Sequence, residues 1–351
     1  MKKEIYLTLT DGTVYKGYGE TETPIEGELV FTTASCGYPQ ILTDPCHNGQ
    51  IVVFAFPSVG IYGIDSENLE GRRIMARAAV VSSLDEPKNG RFESLSDWSK
   101  KNSFPLISGI DTRQLILKIR KHDSITARID FEPNKPVAAD LNDTLVSEVS
   151  CKEVMTYGEG SLTVALIDYG VKESMIRSMT ERKCRVLRFP NTASAEEILA
   201  SGADGIMLSS GPGDPAVLTF ETEQISKLLG KKTIMGVCMG NELLARACGA
   251  STKKMPFSHT GGNLPVVDLA TGSGLVTAQN HRYAVDESTL SGTGLEVAYR
   301  HLGDGTIEGL THIRYDAFSV QFHPEAAGWR EDASYIYDNF VTRMQAAKEM
   351  A

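Results

Sequence analysis

A cysteine lies between two glycines in the stretch GVCMGNELLARA, which runs from Gly236 to Ala247. The apolar residues before it predict a strand and the residues after it predict a helix, so Cys238 falls on the turn between them. Glycines permit such a sharp turn, and the N-terminus of a helix lowers the pKa of a thiol placed there. Backbone N–H groups at the same turn can stabilise a developing oxyanion. Cys238 is therefore a candidate nucleophile, although buried cysteines without a chemical role are also common.

A thiol nucleophile needs a base and a group that orients the base. His323 follows a short apolar strand in AFSVQFHPEA and is followed by Pro324 and Glu325. Because alternate residues of an extended segment point the same way, the imidazole of His323 and the carboxylate of Glu325 are predicted to lie on one side of the chain. His281, in AQNHRYAV, is a weaker candidate because no carboxylate lies two residues on. Taken alone, His323 and Glu325 would more simply be a histidine beside a glutamate in a surface turn.

The composition limits the class of protein. A length of 351 residues favours two domains, and a net charge of -10 argues against nucleic acid as the main partner. The first residues, MKKEIYLTLTDGTVYKG, lack the apolar core of a signal peptide, and no stretch approaches the roughly 20 apolar residues that span a membrane. The six cysteines are scattered and show no metal-ligand spacing with each other or with histidine. We therefore expect reduced thiols, a cytoplasmic location, no membrane partner and no metal bound to this chain.

The patterns of strands and helices predict an α/β fold in two domains, with a boundary near residues 150–161. Residues 1–150 contain short strand-like runs separated by Asp-Gly, Gly-Tyr-Pro and Asn-Gly turns, which predicts a β-rich mixed domain. Residues 161–351 begin with the nearly continuous apolar run LTVALIDYG and then alternate helices with strands, which is typical of a parallel sheet covered on both faces. Ligands of such sheets bind at the carboxyl ends of the strands, where the cysteine turn and the loop SSGPGDP both lie.

Three of these motifs, GPGDP, the cysteine turn and FHPE, resemble in order and spacing the signature of class I, triad-type glutamine amidotransferases. Further segments resemble the small, glutamine-hydrolysing subunits of carbamoyl phosphate synthetases: GYPQILTDP, GIDTR, SSGPGDP, TGGNLPV, TAQNHRYAVD and SVQFHPEA. The resemblance covers essentially the whole chain, including the N-terminal domain that other amidotransferases lack. It implies that residues 161–351 form a class I glutamine amidotransferase domain and that residues 1–150 dock the large subunit.

The resemblance also implies roles for individual residues. Cys238 would attack the side-chain amide of glutamine and form a γ-glutamyl thioester. His323 would deprotonate the thiol and then protonate the departing ammonia, while Glu325 would orient the imidazole. Backbone N–H groups of Gly211 and Met239 would form the oxyanion hole. The other substrate-binding positions that the resemblance implies are Cys46, Gly213, Glu242, Asn280, Arg282 and Tyr283.

The same resemblance implies a partner. Ammonia would pass from this chain to a large synthetase subunit, which makes carbamoyl phosphate from bicarbonate and ATP for arginine, pyrimidine or another pathway. No phosphate-binding loop of the type G-x-x-x-x-G-K-[ST] occurs in this sequence. We therefore expect no cofactor in this chain, with ATP, Mg²⁺ and bicarbonate bound by the large subunit.

Six positions depart from the family pattern (Cys46, Met239, Asn241, Glu242, Arg282 and Tyr283), and three of them alter the pocket. The family turn is commonly Cys-Leu-Gly-His-Gln, whereas this chain ends the same stretch with Glu242. A family serine is replaced by Cys46, and the glycine of Gln-Asn-His-Gly-Phe is replaced by Arg282. Because one departure is acidic and another basic, we expect Glu242 and Arg282 to form an ion pair. The altered pocket leaves open an active glutaminase subunit, a non-hydrolysing structural or regulatory subunit, and an amidase with a different substrate preference.

Overall fold

The chain forms two compact units, Met1–Asn142 and Asp143–Ala351. The structure is a computed structural model, and it describes residues 3–19, 21, 23–87, 92–121, 125–137, 144–325 and 333–350. The division precedes the boundary expected near residues 150–161. The reason is that the short helix Leu145–Val149 and the strand Met155–Tyr157 belong to the second unit, where the strand joins the sheet.

The first unit is built from short strands and short helices. Its elements are β1 (Lys3–Leu9), β2 (Val14–Gly19), β3 (Ile25–Thr32), α1 (Tyr38–Thr43), β4 (Gln50–Phe54), β5 (Ser58–Val59), β6 (Ala78–Val80), β7 (Ser83–Leu84), α2 (Leu95–Lys101), β8 (Leu106–Ile107), α3 (Thr112–Ile119) and β9 (Thr126–Asp130). A 3₁₀ turn, Pro45–His47, follows α1.

The main sheet of this unit is mixed, with strand order β2-β1-β9-β3-β4-β6-β8. β3, β4, β6 and β8 run parallel to one another, whereas β1, β2 and β9 form antiparallel pairs. Successive residues of β4 enter different cores: Ile51 and Val53 pack with Leu115 of α3, and Val52 packs on the other face with Leu42 of α1. The predicted β-rich mixed domain is therefore confirmed.

The second unit alternates strands with helices and then continues as long antiparallel strands. Its elements are α4 (Leu145–Val149), β10 (Met155–Tyr157), β11 (Leu162–Asp168), α5 (Glu173–Glu181), β12 (Cys184–Pro190), α6 (Ala195–Ala200), β13 (Gly205–Leu208), α7 (Thr219–Leu228), β14 (Thr233–Val237), α8 (Met239–Ala247), β15 (Thr252–Asp268), β16 (Gly274–Val285), β17 (Leu295–His301), β18 (Ile307–His312), β19 (Ala317–Val320) and α9 (Tyr335–Met350).

The sheet of the second unit has the strand order β10-β12-β11-β13-β14-β19-β18-β17-β15-β16. Five neighbouring strands of this sheet are parallel: β12, β11, β13, β14 and β19. The next four, β18, β17, β15 and β16, are antiparallel. β11 is apolar from Val164 to Ile167 because both of its faces are covered. Val164 and Leu166 pack with α5 and α9, and Ala165 and Ile167 pack with α6, α7 and α8. The predicted α/β fold with a covered parallel sheet is therefore confirmed.

No helix in the described ranges of the chain combines the length and the apolar character needed to cross a membrane.

Candidate active site

Cys238 occupies a strained turn between β14 and α8, at the carboxyl end of the parallel sheet. Its φ is 55° and its ψ is -107°, a conformation that costs energy for a residue with a side chain and is found mainly at functional sites. A Cβ on Gly236 would lie 2.5 Å from the carbonyl oxygen of Gly240, and one on Gly240 would lie 2.2 Å from that of Leu208. The two glycines that flank the cysteine are therefore sterically required by this turn.

His323 reaches the same edge of the sheet because β19 is the parallel neighbour of β14. Its Nδ1 lies 2.7 Å from Oε1 of Glu325. A carboxylate only accepts hydrogen bonds, so this contact keeps the proton on Nδ1. The other ring nitrogen, Nε2, is buried and has no hydrogen-bond partner among the described residues. Nε2 is therefore the nitrogen that can take a proton from the thiol of Cys238.

The charges around His323 make it a strong proton acceptor. Burial and the ammonium of Lys172 lower the pKa of His323, but the carboxylate of Glu325 and the interaction with Cys238 raise it more, and the resulting pKa is about 10. Burial raises the pKa of Glu325. The charges of Lys172 and His323 lower it by more, so the pKa lies well below its ordinary value. Glu325 is therefore ionised at neutral pH, as a group that orients an imidazole must be.

Two groups that hold Glu325 were not predicted from the sequence. Nζ of Lys172 lies 3.1 Å from Oε1, and the hydroxyl of Tyr337 donates to Oε2 at 3.0 Å. Lys172 follows β11, where Asp168 accepts hydrogen bonds from two backbone N–H groups of the turn. Lys172 comes directly after a turn at the carboxyl end of a buried strand, and this position could have identified it as a site residue. Tyr337 lies on α9, remote in sequence, and nothing in its local pattern marked it.

The loop after β13 and the first residue of α8 lie at the ends of adjacent strands. The backbone N–H groups of Gly211 and Met239 donate to no backbone carbonyl group in the part of the chain that the structure describes. A Cβ on Gly211 would lie 2.4 Å from the carbonyl oxygen of Tyr169, and Gly213 has a φ of 93°, which favours glycine. These observations support the predicted oxyanion hole without testing it.

The backbone of β16 contacts both Cys238 and His323. Sγ of Cys238 donates to the carbonyl oxygen of Asn280 at 3.7 Å. Arg282 and Tyr283 follow on the same strand and are half-buried. His281, the weaker candidate for the base, has its ring nitrogens within hydrogen-bond distance of the Tyr283 carbonyl and of a glutamine side chain. The structure therefore favours His323 as the base.

Glu242 does not form the expected ion pair with Arg282. Its side chain is directed into the sheet, where Oε1 accepts a hydrogen bond from Nε2 of Gln321 at 3.1 Å. Burial, followed by the charge of Cys238, raises the pKa of Glu242 well above its ordinary value. The expectation was wrong because the first turn of α8 points this side chain into the interior, where burial favours the protonated form of its carboxyl group.

Cys46 belongs to the first unit. It is buried in the 3₁₀ turn Pro45–His47, and its backbone N–H donates to Oδ1 of Asp44 at 2.9 Å. Its contact with substrate stays a prediction.

Comparison with known proteins agrees with both halves of the chain. Residues 165–343 match the family model of class-I glutamine amidotransferases. Residues 7–129 match the model of the carbamoyl-phosphate synthase small chain, CPSase domain. The carbamoyl phosphate synthase small chains of Staphylococcus haemolyticus and of Bacillus cereus (strain ATCC 10987) are each 40% identical to this chain, over 99% of its length and 98% of theirs. A crystal structure of a glutamine amidotransferase from Thermotoga maritima is 17% identical, with a TM-score of 0.39, and covers 54% of this chain and 90% of that one.

The second unit has the fold of a class I glutamine amidotransferase. The chain as a whole belongs to the family of carbamoyl phosphate synthase small chains.

Proposed function

We propose that this chain is the glutamine-hydrolysing subunit of a carbamoyl phosphate synthase. The observation that carries the proposal is the connected array at the carboxyl edge of the sheet: Cys238 on its strained turn, His323 beside it, and Glu325 held by Lys172. The array would supply the nucleophile, the base and the orienting carboxylate that thiol-dependent amide hydrolysis needs.

The reaction follows from the positions of these groups. Nε2 of His323 takes the thiol proton, and the sulfur of Cys238 attacks the side-chain carbonyl carbon of glutamine. The oxyanion that develops is stabilised by the backbone N–H groups of Gly211 and Met239. The imidazolium then returns its proton to the departing nitrogen, so ammonia leaves and a thioester remains. Water, deprotonated by His323, hydrolyses the thioester to glutamate and regenerates the thiol.

We propose that ammonia passes to a large synthetase subunit in the cytoplasm, and that this partner binds ATP, Mg²⁺ and bicarbonate. Membership of the small-chain family supports such a partner. Docking through the first unit, and the use of the product for arginine or pyrimidine synthesis, belong to the same proposal. A non-hydrolysing subunit is not favoured, because Cys238, His323 and Glu325 are all present and in position.

The test is ammonia release from glutamine by the chain with and without its large subunit. Cys238→Ser is expected to abolish release, because a hydroxyl is far less ionised than a thiol at neutral pH. Synthesis from free ammonia by the assembled enzyme should persist. Cys248→Ser, which changes a half-buried cysteine at the other end of α8, is the matched control and should keep full activity. Wild-type glutaminase activity in Cys238→Ser would exclude the proposed nucleophile.

A further inference from the structure

A cluster of potential metal ligands lies in the antiparallel half of the second sheet, apart from the triad. His259 on β15, His281 on β16 and Glu308 on β18 are all buried, with relative exposures of 6%, 6% and 0%. One ligand atom from each lies within 4.8 Å of the other two. The three residues are far apart in sequence, which is why no ligand spacing was visible there.

Each imidazole of the cluster has one nitrogen that must carry a proton. Nε2 of His259 lies 3.0 Å from Oδ2 of Asp304, and Nδ1 of His281 lies 2.8 Å from the backbone carbonyl oxygen of Tyr283. Both partners are acceptors, so both of these nitrogens donate. This arrangement is the one found around metal-bound histidines, whose second N–H is held by a carboxylate or a backbone carbonyl.

The remaining nitrogen of each ring faces oxygen atoms that cannot donate. Nδ1 of His259 lies 3.2 Å from Oε1 of Glu308. Nε2 of His281 lies 3.6 Å from the same oxygen and 3.1 Å from Oε1 of Gln279. The other carboxylate oxygen, Oε2 of Glu308, is buried with no hydrogen-bond partner among the described residues. The two nitrogens thus converge with a carboxylate on one small volume, which must be filled either by protons on the rings or by a cation.

We propose that this cluster binds a divalent transition-metal ion of the zinc class through Nδ1 of His259, Nε2 of His281 and the carboxylate of Glu308. Two histidines and one carboxylate are a known zinc donor set, which leaves a fourth position for water. Metal–ligand bonds of about 2.0–2.1 Å at tetrahedral angles place neighbouring ligand atoms about 3.3 Å apart. The distances of 3.2 and 3.6 Å from Glu308 to the two nitrogens agree with that value. Asp304 is exposed, so the outer side of the cluster reaches the surface.

The ion would stabilise the strand that contacts the triad. The backbone carbonyl oxygens of Ala278 and Asn280 accept hydrogen bonds from the N–H of His323 and from the thiol of Cys238. His281 follows Asn280 directly, so a metal bound to His281 fixes β16 at this point. The expected role is structural, and its primary readout is metal binding rather than turnover.

The alternative to a bound metal is that one further proton binds to each of the two histidine rings. Both rings would then be imidazolium ions, with centroids 4.9 Å apart, balanced by Glu308 and Asp304. Burial lowers the pKa of His259, but Glu308 and Asp304 raise it above its ordinary value. A proton-held cluster would bind no transition metal with useful affinity, so the two occupants are distinguished by a direct measurement.

The experiment uses the full chain carrying Cys238→Ser, so that the catalytic thiol cannot bind metal. Metal content is measured on the purified protein, and the metal-free protein is then titrated with Co²⁺, whose absorption spectrum separates nitrogen and oxygen ligands from thiolate ligands. The expected result is one Co²⁺ bound with a spectrum free of thiolate bands. His259→Gln and Glu308→Gln should each weaken binding at least tenfold, and His312→Gln, on the same strand as Glu308, should bind as tightly as the parent protein.

Equal Co²⁺ binding by the parent and by His259→Gln, or no binding by either, would overturn the proposal and leave the proton-held cluster. If His259→Gln does not fold, Asp304→Asn replaces it, because Asp304 is exposed and acts only through the N–H of His259. Loss of such an outer partner typically weakens metal affinity by about 10–100-fold. An unchanged affinity in Asp304→Asn would count against the site. None of these readouts depends on glutaminase activity, so the proposed function can fail separately.

Discussion

The sheet of the second unit has two halves that contribute to the site in different ways. The parallel half supplies side chains and free N–H groups at strand ends, among them Cys238 after β14 and the loop after β13. The antiparallel half supplies backbone carbonyl groups of β16, which hold the thiol and the strand of the base. His323 lies at the border, because β19 is parallel to β14 and antiparallel to β18. Under the proposed function, the parallel half therefore supplies the reacting groups, and the antiparallel half holds them in position.

The largest loss of activity is expected at His323, at the border between the two halves. His323→Asn removes the base, and general acid–base catalysis of this kind contributes about 10²–10⁴-fold to the rate. We expect a loss of kcat of that size in an ammonia-release assay with glutamine. His312→Asn changes a histidine in the antiparallel half that lies outside the triad and should keep its activity. Equal rates for His323→Asn and the wild type would move the base assignment to His281 and reverse the roles of the two halves.

A second prediction compares a glycine from each half. Gly240→Ala would place a Cβ 2.2 Å from the carbonyl oxygen of Leu208, so the turn and β13 must separate. Such overpacking typically costs about 1–3 kcal/mol and should also lower activity, because Cys238 is displaced. Gly274→Ala, at the start of β16, meets nothing within 4 Å and is the control. Thermal unfolding followed by circular dichroism measures both. Equal stabilities would show that the turn at Cys238 is not sterically constrained.

The two halves also differ in how far the sequence predicts them. The parallel half follows from local patterns: an apolar strand, a glycine-flanked cysteine and a histidine two residues before a glutamate. β15 and β16 do not show a clean alternation, because their register shifts between Lys254 and His259 and again between Gly261 and Leu264. The support of Glu325 by Lys172 and Tyr337, and the His259 cluster, join residues that only the folded sheet brings together. Local periodicity carries no signal for contacts of this kind.

A third prediction concerns the positive charge that the parallel half contributes to Glu325. Lys172→Met removes the ammonium that lowers the pKa of Glu325, so the carboxylate becomes protonated at a higher pH. Because an ionised Glu325 orients the base, the acid limb of the kcat/KM profile should move to higher pH. A one-unit shift in pKa corresponds to about a tenfold loss on the acid side. Lys172→Arg keeps the positive charge, so its kcat/KM at acid pH should be close to that of the wild type. An acid limb that stays in place in Lys172→Met would mean that Lys172 has only a packing role.

The smallest effect is expected at Glu242, which lies where the two halves meet, on α8 against Gln321 of the strand end that carries His323. Burial and the charge of Cys238 raise the pKa of Glu242 well above the value of 4.5 that it has when unfolded. Above about pH 4.5 the unfolded chain releases this proton while the folded chain keeps it, so stability falls as pH rises until the folded pKa is passed. Glu242→Gln removes that penalty and preserves the hydrogen bond from Gln321.

We therefore expect the melting temperature of Glu242→Gln to equal that of the wild type near pH 4.5 and to exceed it increasingly as the pH rises toward the folded-state pKa of Glu242. Glutaminase activity at neutral pH should change little, because the amide keeps an oxygen that can accept the hydrogen bond from Gln321. Glu223→Gln, which neutralises an exposed carboxylate on α7, controls for the change in net charge and should show no such widening. A constant difference in melting temperature across this range would mean that Glu242 is ionised in the folded chain. An ionised Glu242 would need a compensating cation from another part of the pocket. Arg282 on β16 would then be the candidate, and the antiparallel half would contribute a charge to the site.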